Sequence, residues 1–272
     1  ECMDGEKGIP ETTEGAIHNL LWRLEKANNH GEVQVRKALG YIAASRYGLD
    51  EHEIMGVLGS DEEYIDFFKA THQHEIPQAT ADGQRIPIIV WSRLYFDLKP
   101  YLNEHSVENA SLFNFYHRLV GEVVAERYLT KSNKNSFHLK LADFFESHPD
   151  ENRKVPEYPW QLHEGELREK LYNLLGNDLD FFCKTWKKDQ FDVKRYWASI
   201  ERASIEKAGA DKEPEFSIAT AYKNAIDNPE SVSSLILSEL GLLLYDTGYP
   251  KEAFTIREHL VKHYRAKEDL SG

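Results

Sequence analysis

The chain has 272 residues, 41% of them hydrophobic and 12% aromatic, which is enough for two domains of ordinary size with real cores. Against 46 Asp and Glu stand only 33 Lys and Arg, a formal charge of −13, and a phosphate backbone repels so acidic a chain, so nucleic acid is not an expected partner. An apolar run of about 18 residues is missing, as is a signal peptide, and two cysteines, Cys2 and Cys183, make neither a disulfide framework nor a zinc motif; the expected setting is the reducing cytoplasm, with no membrane.

The chain opens on Glu1 rather than Met, as a fragment of a longer protein would. Helical periodicity runs through nearly all of it. Ile17, Leu20, Leu21 and Leu24 fall at i, i+3, i+4 and i+7, after Pro10 and the Thr12-Thr13 pair and before Asn28, Asn29 and Gly31. Val35, Ala38, Leu39, Ile42 and Ala43 make a second stripe that stops near Gly48. Asp50 with Glu53 predicts a capping box opening a short helix that carries Ile54, Val57 and Leu58 and closes at Gly59. Ser60 with Glu63 predicts another, opening a helix with Tyr64, Phe67 and Phe68 inward. Residues 71–86 are polar and turn-rich. Pro87 then starts a helix lined by Trp91, Leu94, Tyr95 and Leu98 and ended by Pro100. Leu112 to His117 alternates and is aromatic, predicting a short strand, after which Val120, Val123, Val124 and Arg127 continue as a helix. Short helices, a longer helix and a strand feeding another helix are the order of a winged-helix module, although periodicity alone leaves an irregular helical bundle open.

From Phe137 the chain is helical again. Phe137, Leu141, Phe144 and Phe145 share a face, as do Leu167, Leu171, Leu174 and Leu175, then Val193, Tyr196, Trp197 and Ile200. Residues 208–214 predict a turn or flexible linker. The last two helices, carrying Ile236, Leu240, Leu243 and Leu244 and then Ala253, Ile256, Leu260 and Tyr264, turn at Gly248. In them Leu240-Gly241 and Ala253 match the small-residue positions of a tetratricopeptide repeat, where closely crossing helices need small side chains. Leu244 replaces the usual aromatic and Arg257 a bulky apolar residue, so the match is partial and an ordinary helical hairpin stays open.

Reaction motifs are absent from the sequence. It holds no phosphate loop, Gly5-Glu6-Lys7-Gly8 being too short, and no G-x-G-x-x-G, G-x-S-x-G or H-E-x-x-H. His72 and His74 could supply two metal ligands, but with no Cys pair or spaced acid beside them they predict a solvated loop. The basic run Lys184, Lys187, Lys188 predicts a solvated face. The carboxylates are spread as caps and surface groups rather than as an isolated acid–base pair. The expectation is a chain with no catalytic residue, no metal ligand and no cofactor of its own.

Several phrases together resemble one family. The run from Ala38 to Ile54, with Ala44-Ser45-Arg46 and Gly48-Leu49-Asp50-Glu51, is similar to a winged-helix segment of STAND-class NTPases. So are Val90-Trp91-Ser92-Arg93-Leu94, Leu98-Lys99-Pro100-Tyr101-Leu102, Phe115-Tyr116-His117-Arg118-Leu119, Glu126-Arg127-Tyr128-Leu129 and His138-Leu139-Lys140-Leu141-Ala142-Asp143-Phe144-Phe145. The resemblance covers about residues 9–200 and extends to NACHT-type proteins similar to nephrocystin, telomerase-associated protein and bacterial antiviral STAND ATPases.

The resemblance implies a mainly α fold: a helical lead-in over 1–30, a winged helix over 31–133, a helical linker over 134–212 and a tetratricopeptide-like hairpin over 213–272. It implies an upstream nucleotide-binding domain holding ATP or ADP with Mg, a protein ligand on C-terminal repeats, and homo-oligomerisation of the whole protein on activation, as in antiviral or immune-type signalling. It also implies a role for His117, whose place after an aromatic strand is where such proteins put a histidine that reaches the ADP phosphate; a histidine that only caps the strand–helix junction is the alternative. Arg118 departs from the Asp common there. Two other readings compete. A winged-helix DNA-binding regulator would need a basic exposed face on the helix at 87–99, where only Arg85, Arg93 and Lys99 are available, and would show a salt-dependent gel shift. A stand-alone helical scaffold would bind a peptide as a monomer.

Overall fold

A computed structural model describes residues 11–73, 75–76, 85–107, 110–208 and 214–269. Pro10, the Gly5–Gly8 run, His74 and most of the 208–214 turn lie outside them. The chain divides into two compact units, Glu1–Gly165 and Glu166–Gly272, so the 134–212 stretch expected as one linker is shared between them.

In the first unit, α1 (Thr13–Leu24) is capped by the Thr12 side chain and buries Ile17, Leu20, Leu21 and Leu24, the stripe its sequence spacing predicts. α2 (Glu32–Ala44) is buried over most of its length. α3 (Glu51–Ser60) opens on the Asp50–Glu53 capping box, with both reciprocal hydrogen bonds formed. The second predicted box is corrected. Ser60 is the last residue of α3, its hydroxyl donating to the Val57 carbonyl, and Asp61 caps α4 (Glu62–Thr71) by accepting from the Tyr64 amide. Asp61 wins because its buried carboxylate also takes the Lys37 ammonium at 2.7 Å and the Tyr41 hydroxyl, partners that a serine could not hold as an anion would.

α5 (Ile88–Leu98) buries Val90, Trp91, Leu94 and Leu98. It leads into β1 (Leu102–Val107), which pairs antiparallel with β2 (Ala110–Phe115), Leu102 opposite Phe115 and Glu104 opposite Phe113. Leu49 adds a one-residue bridge to Phe113 on the other edge, with hydrogen bonds in both directions at 2.9 and 3.2 Å. A short first strand beside a hairpin, following α2, α3 and α5, is the winged-helix arrangement. α6 (Arg118–Tyr128) follows, burying Val120, Val123, Val124 and Tyr128, and Glu25 at the end of α1 accepts from Arg127 and the Tyr128 hydroxyl.

α7 (Lys134–Glu146) and α8 (Glu151–Glu164) close the unit. α8 has Pro156 and Pro159 inside it and a row of buried polar residues, Arg153, Glu157 and Gln161, one turn apart. They grip the link between α2 and α3. Arg153 donates to both oxygens of Glu53 at 2.7 and 2.9 Å and to the Gly48 carbonyl at 2.8 Å. Glu157 accepts from the amides of Arg46 and Tyr47 at 3.1 Å each, and Gln161 donates to the Ala44 carbonyl. Burial pushes the Glu157 carboxyl above its ordinary range, against the pull of Arg153 and the amide donors.

The second unit is helical throughout its described residues: α9 (Arg168–Asn177), α10 (Leu179–Lys188), α11 (Gln190–Ala208), α12 (Ile218–Ala221), α13 (Lys223–Asp227), a 3-10 turn over Pro229–Ser231, α14 (Ser234–Asp246) and α15 (Pro250–Asp269). Phe182, Trp186, Tyr196, Trp197 and Tyr222 fill its core, all less than 2% exposed; each such side chain contributes roughly 1.5–3 kcal/mol on burial.

Leu240 and Ala253 are buried in the α14–α15 hairpin, but close helix crossing does not require a glycine at Gly241. A Cβ added there would meet the Ile256 side chain at 3.5 Å, an ordinary contact. Gly241→Ala is therefore expected to be neutral or to stabilise by up to about 1 kcal/mol, the helix-propensity difference. A urea titration showing a lower midpoint would mean the helices cross more tightly than this.

Candidate functional site

The corner where β2 passes into α6 carries the one residue to which the sequence reading gave a ligand contact. Its position is set from below. Trp91 and Tyr95 of α5 pack their rings against Phe113 with centroids 5.5 and 5.0 Å away, and the Tyr116 amide donates to the Tyr101 carbonyl at 2.8 Å, closing the base of the hairpin. The chain then turns into α6 at His117, the N-cap residue, in extended conformation.

His117 is exposed, and its Nδ1 accepts from the Leu119 amide at 3.3 Å. Accepting at Nδ1 leaves the proton of a neutral imidazole on Nε2. The ring therefore satisfies one free amide of the helix start and offers an N–H donor to solvent. Tyr116, 72% exposed, and Arg118 stand on either side; the Arg118 guanidinium pairs with Glu122 one turn on at 2.7 Å, an exposed pair of the kind that contributes little. The capping role and the outward donor are compatible, so the two readings of this histidine do not exclude one another.

The outward side of α5 carries Ile88, Ile89 and Phe96, at 53%, 48% and 70% exposure, together with Arg93 and Asp97. Asp97 accepts from or pairs with His30 at 2.8 Å. This face is apolar and of mixed charge rather than basic. A cleft of about 380 Å³ lies beside it, lined by His30, Gly31, Phe67, His72, Ile89 and Arg93 and without His117.

Leu240, Gly241 and Ala253 lie in the other unit, as packing residues of its last hairpin. Among the described residues no group of three or more His, Cys, Asp or Glu could hold a metal ion, and no helix is long and apolar enough to cross a membrane. The buried Arg153–Glu53–Glu157 cluster was not foreseen, because its members are polar and Glu53 lies 100 residues before Arg153; the Arg-x-x-x-Glu-x-x-x-Gln spacing within α8 is the one signal that pointed to it.

Residues 7–136 match the model of the NWD1-like, winged helix-turn-helix domain. Across 211 residues, 65% of the chain, it is 33% identical to the NACHT domain- and WD repeat-containing protein 1 of Homo sapiens. It is 31% identical over 141 residues, 52% of the chain, to the NACHT and WD repeat domain-containing protein 2 of Homo sapiens. A TPR repeat-containing protein of Dictyostelium discoideum is 31% identical over 115 residues, 41% of the chain. These matches span only 13%, 8% and 7% of those proteins. No solved structure matches. The chain thus carries a winged-helix segment related to those of NACHT-domain proteins.

Proposed function

We propose that this NACHT-related winged-helix segment is a regulatory and interaction segment that closes on a nucleotide held by a neighbouring domain and passes the state of that nucleotide to the helical region after it. The observation that supports this is the exposed imidazole of His117, whose Nδ1 accepts from the Leu119 amide and so leaves Nε2 as the donor. The N–H donor stands at the start of α6, an 11-residue helix, beside the positive end of the backbone dipole, and a phosphate is favoured at such a position. ATP or ADP with Mg would be bound mainly by the other domain. The contribution of this chain is one donor, present only when the winged helix is docked.

The apolar outward face of α5 suits a protein neighbour better than DNA, whose backbone would call for a stripe of cations. In this reading ADP keeps the winged helix docked. A protein ligand on C-terminal repeats frees it, and the protein then oligomerises, in signalling of the antiviral or immune kind in the cytoplasm. The chain itself turns over no nucleotide.

The test is made in a protein that joins this segment to its nucleotide-binding domain. His117→Asn keeps a good helix cap and replaces the far Nε2–H by a shorter amide whose donors no longer reach the phosphate. Its ADP dissociation constant is expected to rise roughly tenfold to a hundredfold, as loss of a hydrogen bond to a charged group predicts, with thermal stability of the nucleotide-free protein unchanged. Unaltered ADP affinity on isothermal titration removes the phosphate role from His117 and leaves it a cap.

A further inference from the structure

We propose that His259 and His263 on α15 form a two-point binding site for a borderline divalent transition metal, Cu²⁺ or Zn²⁺. This does not rest on the nucleotide reading, and the site lies in the second unit. The two histidines are four residues apart on a long helix, so they project from the same face on successive turns. Their rings already face one another, with centroids 6.3 Å apart and planes within 18°. Both are partly exposed, which leaves room for a metal and its waters. The Tyr264 ring packs against the edge of His263 with centroids 5.7 Å apart.

The geometry required is modest. Metal–nitrogen bonds of about 2.0–2.1 Å at a tetrahedral angle put two donor nitrogens about 3.4 Å apart, and two nearly parallel imidazoles one turn apart reach that by small side-chain rotations. The surrounding charges do not obstruct it. Glu258 pairs with Lys262 at 3.3 Å on the exposed surface, so the lysine between the two histidines has an acidic partner. Among the described residues no third His, Cys, Asp or Glu completes a metal set. The remaining positions would be filled by water, giving an exchangeable site rather than a closed structural one. Copper would bind more tightly than zinc, following the usual order of divalent ions at nitrogen donors. Bridging two turns, the metal would tie down the outer half of α15 and stabilise it by mass action.

The 272-residue chain is titrated with Cu²⁺ and with Zn²⁺, by calorimetry and by imidazole ¹H–¹⁵N spectra. The expected result is one ion bound at this pair, with the His259 and His263 resonances moving together. His259→Gln and His263→Gln should each weaken that binding about a hundredfold, the loss expected when a two-point attachment becomes one-point. A Val261→His, His263→Gln double variant has the same number of histidines, but its new histidine is two residues from His259 and so on another side of the helix, at an exposed position, and should stay weak. All three positions are on the surface, so circular dichroism should show each variant folded. Wild-type affinity in either single variant overturns the proposal, as do resonance shifts confined to other histidines or full recovery in the double variant.

Discussion

Arg153→Met is expected to destabilise the first unit by about 3–5 kcal/mol, the typical consequence of removing one member of a buried ion pair, which is a large part of an ordinary domain's stability of about 5–15 kcal/mol. The Arg153 side chain is 4% exposed, and it faces Glu53 at 1% and Glu157 at 0% exposure. Two carboxylates would be left without their cation, and the Gly48 carbonyl without its donor. Glu157 keeps its amide partners and its raised affinity for a proton relieves part of the charge; Glu53 keeps the Asp50 amide and a distant His148 at 3.7 Å. If uncompensated charge is the cause, adding Glu53→Gln to Arg153→Met should recover part of the loss even though it deletes another native group. Urea unfolding followed by segment-resolved hydrogen exchange over the first unit gives both numbers. A midpoint in Arg153→Met equal to that of the natural chain would show that α8 does not hold the α2–α3 link.

This cluster also shows where the sequence stops being legible. The elements whose contacts are apolar and local could be read directly: the α1 stripe, the α2 stripe and the Asp50–Glu53 box occupy the places their spacing predicts, while the aromatic strand expected over Leu112 to His117 begins and ends two residues earlier, at Ala110–Phe115, with His117 capping α6. α8 was not read, because two prolines interrupt it and its inward row is polar; what makes Arg153, Glu157 and Gln161 core residues is a partner segment about a hundred positions earlier. β1 was missed for a related reason. Among the described side chains of Leu-Asn-Glu-His-Ser-Val only Leu102 is buried, and its strand character comes from pairing with β2. The Ser60 error was a choice between adjacent caps that local chemistry leaves nearly equal, decided in favour of Asp61 by Lys37 and Tyr41. At the candidate site, the position of His117 after a strand was legible, whereas the engagement of Nδ1 by the Leu119 amide depends on the exact turn into α6.

Gly48→Ala should destabilise the first unit by about 3 kcal/mol or more, and a paired substitution can show why. Gly48 has φ +97, a conformation that L residues adopt at roughly 1–2 kcal/mol. A Cβ there would also overlap the Phe113 carbonyl oxygen, which is backbone and cannot rotate away. Relief requires parting Leu49 from Phe113, the bridge that fastens the α2–α3 link to β2, and disturbing the Gly48 carbonyl that Arg153 holds. Gly248 supplies the comparison: its φ is +93, yet a Cβ there would meet nothing within 4 Å. Gly248→Ala should therefore show the backbone preference alone, roughly 1–2 kcal/mol, and the excess at Gly48 measures the steric overlap. Hydrogen exchange resolved by segment reads each unit separately, so both variants can be scored against the natural chain. Since β2 leads directly into His117, the Gly48 variant should also raise exchange at the Leu119 amide. Equal losses at the two glycines would mean that the strand bridge yields freely, and that the wing and its histidine are not anchored through Gly48.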